Sequence, residues 1–170
     1  LLVAIVGYTN AGKSTLLNAL TDAHVTVEDK LFATLDPTTR ILSVPGKRDL
    51  LLTDTVGFLV DLPHSLIEAF QATLEEVTEA DALVHILDVS ESSRDFQYQS
   101  VCQVLEELKA HEKPVVLALN KIDLLDEVQL RHVQAKFSEG VLISAKNRLH
   151  LDRLIGQIHS ILEREKLHAV

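Results

Sequence analysis

The sequence has no methionine, no tryptophan, a single cysteine and few aromatic residues, which make up 4% of its 170 positions. Because Cys102 has no second cysteine to pair with, the chain can form neither an internal disulfide nor a metal cage of several thiolates. Basic charge is also scarce, since 16 lysines and arginines stand against 25 acidic residues and give a net charge of −9. This balance argues against direct binding to DNA or to an RNA backbone.

Long apolar runs are absent as well. No run approaches the roughly 20 residues that a membrane helix requires, so we expect no membrane span. The length and a hydrophobic content of 46% fit one compact globular domain. The chain opens without methionine on an apolar run over residues 1–6, so we expect a fragment of a longer protein. The unpaired thiol fits a reducing, cytoplasmic environment, and we expect a monomer.

Short apolar runs alternate with longer segments of helical periodicity, which predicts an α/β fold with a mainly parallel sheet. The expected strands cover residues 1–6, 40–44, 49–54, 82–88, 114–120 and 140–143. The expected helices cover residues 13–20, 64–78, 96–111, 127–137 and 149–165. Pro45 and Gly46 predict a turn, which would make the second and third strands an antiparallel hairpin at one edge of the sheet.

Residues 7–14 (Gly-Tyr-Thr-Asn-Ala-Gly-Lys-Ser) match the phosphate-binding P-loop pattern. The motif follows an expected strand and opens an expected helix, which is the context that the pattern requires. Glycines let the backbone wrap phosphates closely, and the amide groups at a helix N-terminus face their negative charge. We therefore expect Lys13 to contact the β- and γ-phosphates and the hydroxyl of Ser14 to coordinate Mg²⁺.

Two later segments address the choice of base. Residues 120–123 (Asn-Lys-Ile-Asp) end one expected strand and residues 144–146 (Ser-Ala-Lys) end the next. Both ends lie at the carboxyl edge of an open α/β sheet, beside the P-loop. A carboxylate at Asp123 accepts the N1–H and 2-amino hydrogens of guanine, whereas adenine offers an unprotonated N1 and no 2-amino group. Such sites discriminate by roughly 10⁴-fold because the wrong base leaves polar groups unpaired.

The neighbours of Asp123 complete the expected base site. We expect Asn120 to bond the edge of the base, the Lys121 stem to cover the ring face, and the Ala145 amide to donate to guanine O6. An ATP-using P-loop enzyme is the alternative interpretation, and the carboxylate of Asp123 disfavours it.

Residues 54–57 (Asp-Thr-Val-Gly) close the third expected strand. An aspartate at this position can hold a metal-bound water, and Gly57 lets its amide approach the γ-phosphate. Three of the six glycines, Gly7, Gly12 and Gly57, thus fall at expected phosphate contacts. This placement favours a ligand role over ordinary turns.

Taken in order, GYTNAGKS, FATLDPTTR, DTVGF, NKID and SAK resemble the G1 to G5 motifs of translation-factor-class GTPases. FATLDPT, and DTVGF with LPH after it, resemble the HflX family in particular. The resemblance covers nearly the whole chain. It implies a Ras-like P-loop G domain, with a six-stranded, mostly parallel sheet, one antiparallel edge strand and helices on both faces.

The same resemblance implies a function. It implies hydrolysis of GTP to GDP with Mg²⁺, association with the large ribosomal subunit, and ribosome splitting. HflX proteins also carry a separate N-terminal domain that this chain lacks, so residues 1–170 are expected to form a single G domain. A GTP-gated binding module with negligible turnover remains the alternative.

The expected site residues lie on the five motifs. We choose Thr34, from the candidates Thr34, Thr38 and Thr39, as the residue that senses the γ-phosphate. The residues expected to act in catalysis are Lys13, Thr34 and Gly57, and those expected to hold Mg²⁺ are Ser14, Thr34 and Asp54. The full set of expected nucleotide contacts is Gly7, Tyr8, Thr9, Asn10, Ala11, Gly12, Lys13, Ser14, Thr15, Phe32, Ala33, Thr34, Leu35, Asp36, Asp54, Thr55, Val56, Gly57, Asn120, Lys121, Ile122, Asp123, Ser144, Ala145 and Lys146.

Phe58 and Asn10 add two further expectations. Phe58 stands where Ras-like enzymes place a glutamine that orients water, so we expect slow intrinsic hydrolysis. A backbone amide, a partner or another residue such as His64, Glu68 or Gln71 would supply the missing group. Asn10 lies where several relatives bind K⁺, which places positive charge between the phosphates. The alternative is that Asn10 merely caps the loop.

The eight histidines show no paired spacing typical of a zinc site. His85 lies between Val84 and Ile86 in an expected buried strand. A polar ring in such a place usually has a hydrogen-bond partner, so we expect a hydrogen-bonded core histidine.

Overall fold

The computed structural model describes residues 1–8, 10–21, 39–55 and 75–168. Its strands are β1 (Leu2–Gly7), β2 (Thr39–Leu42), β3 (Leu50–Asp54), β4 (Ala82–Asp88), β5 (Val115–Asn120) and β6 (Val141–Leu142). Its helices are α1 (Lys13–Thr21), α2 (Glu75–Glu79), α3 (Arg94–Glu107), α4 (Glu127–Lys136) and α5 (Leu151–His168). Each element overlaps the run that predicted it, although the expected helix over residues 64–78 falls mostly outside the described residues.

The six strands form one sheet in the order β2-β3-β1-β4-β5-β6. β1 pairs in parallel with β3 and β4, and β5 pairs in parallel with β4 and β6. Among these six strands of the described ranges, only β2 runs antiparallel, opposite β3 at the edge of the sheet. The structure therefore confirms the mainly parallel sheet and the hairpin around Pro45 and Gly46.

Helices cover both faces of the sheet, which explains why the central strands β1 and β4 are apolar over most of their length. Val84 and Ile86 of β4 pack in one cluster with α1 and α5. Leu83, which directly precedes Val84, packs on the opposite face with α3. All seven residues of β4 are buried. No helix in the described ranges is long and apolar enough to cross a membrane.

Two helix ends differ from the expectation because the backbone leaves the right-handed region there. The helix expected to reach residue 111 ends at Glu107, and Lys109 adopts a positive φ of 57°. The helix expected to begin at residue 149 begins at Leu151, since His150 has φ 59° and Leu149 bridges back to Ser144. Hydrophobic periodicity does not reveal such left-handed residues.

His85 corrects one expectation. It is buried in β4, with 2% of its surface exposed, but its Nε2 has no hydrogen-bond partner among the described residues. The ring instead stacks on Tyr98 of α3, with 5.2 Å between ring centroids and 2° between planes. Burial lowers the pKa of His85 to about 4, so the ring is neutral at neutral pH.

Candidate nucleotide-binding site

The polar residues of the motifs meet at one edge of the sheet. Gly7 ends β1, Asp54 ends β3 and Asn120 ends β5, while Ser144 comes shortly after β6, with Ile143 in between. These strands are parallel, so their carboxyl ends lie side by side. Asp88, which the sequence analysis did not select, ends β4 at the same edge.

The P-loop requires glycine at two positions for steric reasons. A Cβ at Gly7 would lie 2.6 Å from the carbonyl oxygen of Ile86. A Cβ at Gly12 would lie 2.4 Å from Nδ2 of Asn120, and Gly12 has a φ of +106°. The spacing of the motif therefore follows from close packing of this loop against β4 and β5.

Lys13 places its ammonium under the P-loop. The side chain is 8% exposed, and Nζ donates to the carbonyl oxygens of Tyr8 at 3.1 Å and Gly7 at 3.4 Å. Burial lowers the pKa of Lys13, and the carboxylate of Asp54 partly opposes this shift. A cation with so little water around it is well placed to attract a phosphate.

Ser14 and Asp54 form a pair that suits a magnesium ion. The hydroxyl of Ser14 donates to Oδ2 of Asp54 at 2.8 Å. Oδ1 of Asp54 is buried, and within the described ranges it has no hydrogen-bond partner. Hydroxyl and carboxylate oxygens are ligands that Mg²⁺ prefers, so the residues fit this metal.

Asn120 has a role that the sequence analysis did not anticipate, because it joins two loops. Its Nδ2 donates to the carbonyl oxygen of Ala11 at 2.9 Å, and its Oδ1 accepts from the amide of Ala145 at 3.0 Å. Asn120 therefore ties the P-loop to the 144–146 loop. Its Nδ2 carries a second hydrogen, so the expected contact with the edge of the base stays a prediction. The Ala145 amide, expected to donate to guanine O6, is engaged by Asn120 as well.

Asp123 is exposed at this edge of the sheet, and Ser144 orients its carboxylate. Its Oδ1 accepts from the hydroxyl of Ser144 at 2.8 Å. Ser144 is fully buried and also accepts from the amide of Asn147 at 3.2 Å. The Asp123 carboxylate is thus held in place while remaining open to a ligand. Lys146 is exposed beside it.

Of the other predicted contacts, some lie in the described part of the chain and the rest lie outside it. The Tyr8 ring is buried in the core cluster that includes Val101 of α3, so only the backbone of Tyr8 lines the loop, while Thr15 is exposed on α1. Thr55 donates its hydroxyl to the carbonyl of Ile5 at 2.7 Å, a contact that fixes the end of β3. The residues that lie outside the described part of the chain are Thr9, Phe32, Ala33, Thr34, Leu35, Asp36, Thr38, Val56, Gly57, Phe58, His64, Glu68 and Gln71.

Asp88 is the residue of this edge that sequence reasoning missed. Its carboxylate forms an ion pair with Lys121, with Oδ2 2.9 Å from Nζ. The available signal was a lone carboxylate at the end of an apolar strand, since β4 reads Ala-Leu-Val-His-Ile-Leu-Asp. A buried carboxylate needs a partner, which the sequence does not identify.

Comparison with known families adds to this geometry. A family model described as 50S ribosome-binding GTPase matches residues 2–121, which include the P-loop, Asp54 and Asn120. The chain belongs to this family of 50S ribosome-binding GTPases. The match confirms the resemblance that the motifs indicated.

Individual relatives within this GTPase family are named GTPase HflX. The protein of Caldanaerobacter subterraneus is 54% identical over 163 residues, which cover 96% of this chain and 37% of that protein. That of Escherichia coli is 49% identical over 129 residues, covering 76% of this chain and 30% of that protein. The matches thus cover 37% and 30% of the length of these two relatives.

Among solved structures, a GTP-binding protein from the archaeon Sulfolobus solfataricus in complex with GDP superposes with a TM-score of 0.75. It is 30% identical, and the match covers 96% of this chain and 52% of that protein. The Ras-like P-loop GTPase fold implied by the motifs is confirmed.

Proposed function

We propose that this chain is a GTP-binding and GTP-hydrolysing molecular switch, the G domain of an HflX-type GTPase. The observation that carries the proposal is the joining of two loops by Asn120. Its two hydrogen bonds connect the P-loop, which suits phosphates, to the 144–146 loop beside the Asp123 carboxylate. The site therefore offers a cation and backbone amides for the phosphates at one end, and a carboxylate for the guanine base at the other.

The phosphate end of the site has its own division of labour. Lys13 and the P-loop amides bind the phosphate oxygens, and Ser14, Asp54 and Thr34 would hold Mg²⁺. The ion, when bound, neutralises charge between the phosphates. Thr34 and Gly57 are proposed to respond to the γ-phosphate, so that hydrolysis changes the surface around them.

Isothermal calorimetry with GTP, GDP and ATP tests the binding proposal. We expect micromolar or tighter binding of GTP and GDP in Mg²⁺ and at least 100-fold weaker binding of ATP, because Asp123 rejects adenine. Lys13→Ala should abolish binding of all three. Comparable affinity for ATP, or no binding of GDP, would contradict the proposal.

Slow intrinsic turnover is a separate proposal, supported by phenylalanine at position 58, because a phenyl ring cannot orient water by hydrogen bonding. The second candidate function, a GTP-gated binding module, rests on the same residue. Single-turnover GTP hydrolysis with and without large ribosomal subunits distinguishes them. Stimulation by the subunit supports the switch, whereas tight GTP-dependent binding without turnover supports the binding module.

Asn10 supports a proposal about K⁺. Its side chain is exposed at the P-loop, next to the expected phosphates. We expect GTP turnover to be faster in K⁺ than in Na⁺ because a cation held there would add positive charge between the phosphates. Equal rates in the two salts would remove K⁺ from the mechanism and leave Asn10 as a loop residue.

The partner and the location are also proposals. The relatives' family name supports the large ribosomal subunit as the partner of the full-length protein, together with ribosome splitting in the cytoplasm. The net charge of −9 supports the view that another part of that protein contacts RNA, and that this G domain is monomeric and does not bind DNA. Sedimentation of the isolated chain with large subunits should show weak binding compared with a full-length relative.

A further inference from the structure

The end of β4 holds a buried carboxylate that the proposed mechanism does not yet use. Asp88 is 4% exposed. Its Oδ1 accepts from the backbone amide of Ser90 at 3.0 Å and from the Ser90 hydroxyl. Its Oδ2 faces Nζ of Lys121 at 2.9 Å. One oxygen therefore closes a local turn, and the other reaches a lysine on the adjacent strand end.

Lys121 connects two parts of the nucleotide site. Besides Asp88, its Nζ contacts the carbonyl oxygen of Asn10 in the P-loop at 2.9 Å. Both residues have positive φ angles, 71° at Lys121 and 67° at Asn10, which are uncommon outside glycine. The lysine stem thus extends from the end of β5 to the P-loop. Its ammonium is held by Oδ2 of Asp88 and by the carbonyl oxygen of Asn10.

We infer that Asp88 is a positioning residue for nucleotide binding. Its carboxylate holds the Lys121 ammonium on the carbonyl of Asn10, so that the lysine stem already lies where the base is proposed to stack and the P-loop keeps its shape. A lysine side chain has many rotamers, and fixing its head before the ligand arrives removes an ordering cost from binding.

A purely stabilising role fits the geometry less well. The side chain of Asp88 is 6% exposed and that of Lys121 33%. For such a partly buried pair, the loss of hydration largely offsets the attraction between the charges. The pair is better explained by the alignment of the Lys121 side chain with the P-loop. This inference rests on the proposed guanine nucleotide site, but its experiment can fail independently.

A double-mutant cycle on the intact chain tests the inference, with GDP in Mg²⁺ as the probe and calorimetry as the readout. Asp88→Asn keeps the shape and an oxygen for the Ser90 amide but removes the charge that holds Lys121. We expect GDP to bind about tenfold more weakly to this variant. Lys121→Ala should also weaken the binding of GDP. In the double variant, Asp88→Asn should change the GDP affinity of Lys121→Ala by less than about twofold.

The control variant is Ser90→Ala, which removes the hydroxyl bond to Asp88 and leaves Lys121 untouched. It should bind GDP like the unmodified chain. Thermal unfolding without nucleotide should give similar midpoints for Asp88→Asn and Ser90→Ala. If Asp88→Asn does not fold, Asp88→Ser, which retains a hydroxyl near the Ser90 amide, replaces it in the same cycle.

The inference is overturned if Asp88→Asn lowers the affinity for GDP equally with and without the Lys121 side chain. It is also overturned if Asp88→Asn leaves the GDP affinity unchanged, or if Ser90→Ala lowers that affinity as much as Asp88→Asn does. Failure of the unmodified chain to bind GDP would instead refute the proposed function. Binding by the unmodified chain together with an additive cycle would refute only the role of Asp88.

Discussion

At the scale of single residues, the charge and placement of Asp123 bear most of the proposed specificity. The carboxylate is oriented by the buried hydroxyl of Ser144 and remains exposed. A carboxylate can only accept hydrogen bonds, so the group opposite it must present donors. Guanine presents two neighbouring donors, which is why one oxygen pair can select the base.

Replacing this carboxylate by an amide should change which base binds. In Asp123→Asn the side chain can donate to the 2-oxo group of xanthine, so we expect affinity for GDP to fall at least 100-fold and affinity for XDP to rise. Competition between GDP and XDP, measured by calorimetry, checks this. A variant that keeps its preference for guanine would show that Asp123 does not contact the base.

A second prediction at this scale concerns Gly12. Gly12→Ala should abolish GDP binding, because the new methyl group would lie 2.4 Å from Nδ2 of Asn120 and push the two loops apart. Gly46→Ala is the matched control. Gly46 also has a positive φ, 79°, but nothing lies within 4 Å of its added Cβ.

The control should lose about 1 kcal/mol of unfolding free energy from backbone strain and keep its GDP affinity. Gly12→Ala should lose more stability, because it adds the collision to the same strain. Denaturant titration and GDP calorimetry of both variants provide the measurement. Equal behaviour would mean that the P-loop yields to the extra methyl group.

At the scale of elements, the packing of α3 on β4 leaves Nε2 of His85 without a hydrogen-bond partner among the residues that the structure describes. His85 points to the α3 face, where its neighbours in alternation are Leu83 and Leu87, and its ring stacks on Tyr98. Tyr98 in turn contacts Phe137 edge-on, with 5.3 Å between centroids. In the described part of the chain, this aromatic stack and the apolar cluster of α3 with Leu83 hold the helix against β4.

This packing predicts a pH dependence of stability. The folded-state pKa of His85 is about 4, below the value of about 6.5 for an unfolded chain. As the pH falls below about 6.5, His85 becomes protonated in the unfolded chain, whereas in the folded chain it stays neutral until about pH 4. The free energy of unfolding therefore decreases over this window, by about 3 kcal/mol at its acid end.

His85→Phe should remove that part of the acid sensitivity while keeping a ring to stack on Tyr98. We expect the loss of unfolding free energy between pH 7 and pH 4.5 to be about 2 kcal/mol smaller in the variant. Urea titrations at the two pH values give the comparison, in which the other ionisable groups contribute alike to both proteins. Equal losses in the two proteins would show that burial does not lower the pKa of His85.

At the scale of the whole molecule, one nucleotide-dependent change is expected to reach the protein surface. Thr34→Ala should leave GDP binding unchanged, because the γ-phosphate is absent there, and should remove any difference between the GTP-bound and GDP-bound forms. Limited proteolysis in GDP and in a non-hydrolysable GTP analogue provides the measurement. A pattern that still differs between the two nucleotides would assign the response to Thr38 or Thr39.

The sequence alone was sufficient for the order of the elements, the mainly parallel sheet, the antiparallel edge hairpin and the family. These features depend on patterns that are local in the chain: apolar periodicity, a Pro-Gly turn, and motifs whose residues follow one another. The helix ends at Lys109 and His150 escaped prediction because left-handed residues leave no mark on hydrophobic periodicity.

Only the tertiary structure decided which polar groups meet. Asn120 and Ala11 are 109 positions apart, and Lys121 and Asn10 are 111 apart, yet each pair forms a hydrogen bond. Asp88 finds its lysine on the neighbouring strand for the same reason. Such contacts depend on the relative placement of packed strands and loops, to which the intervening chain contributes as a whole. A residue type therefore states what a side chain is able to bind, and the packing of the sheet determines what it does bind.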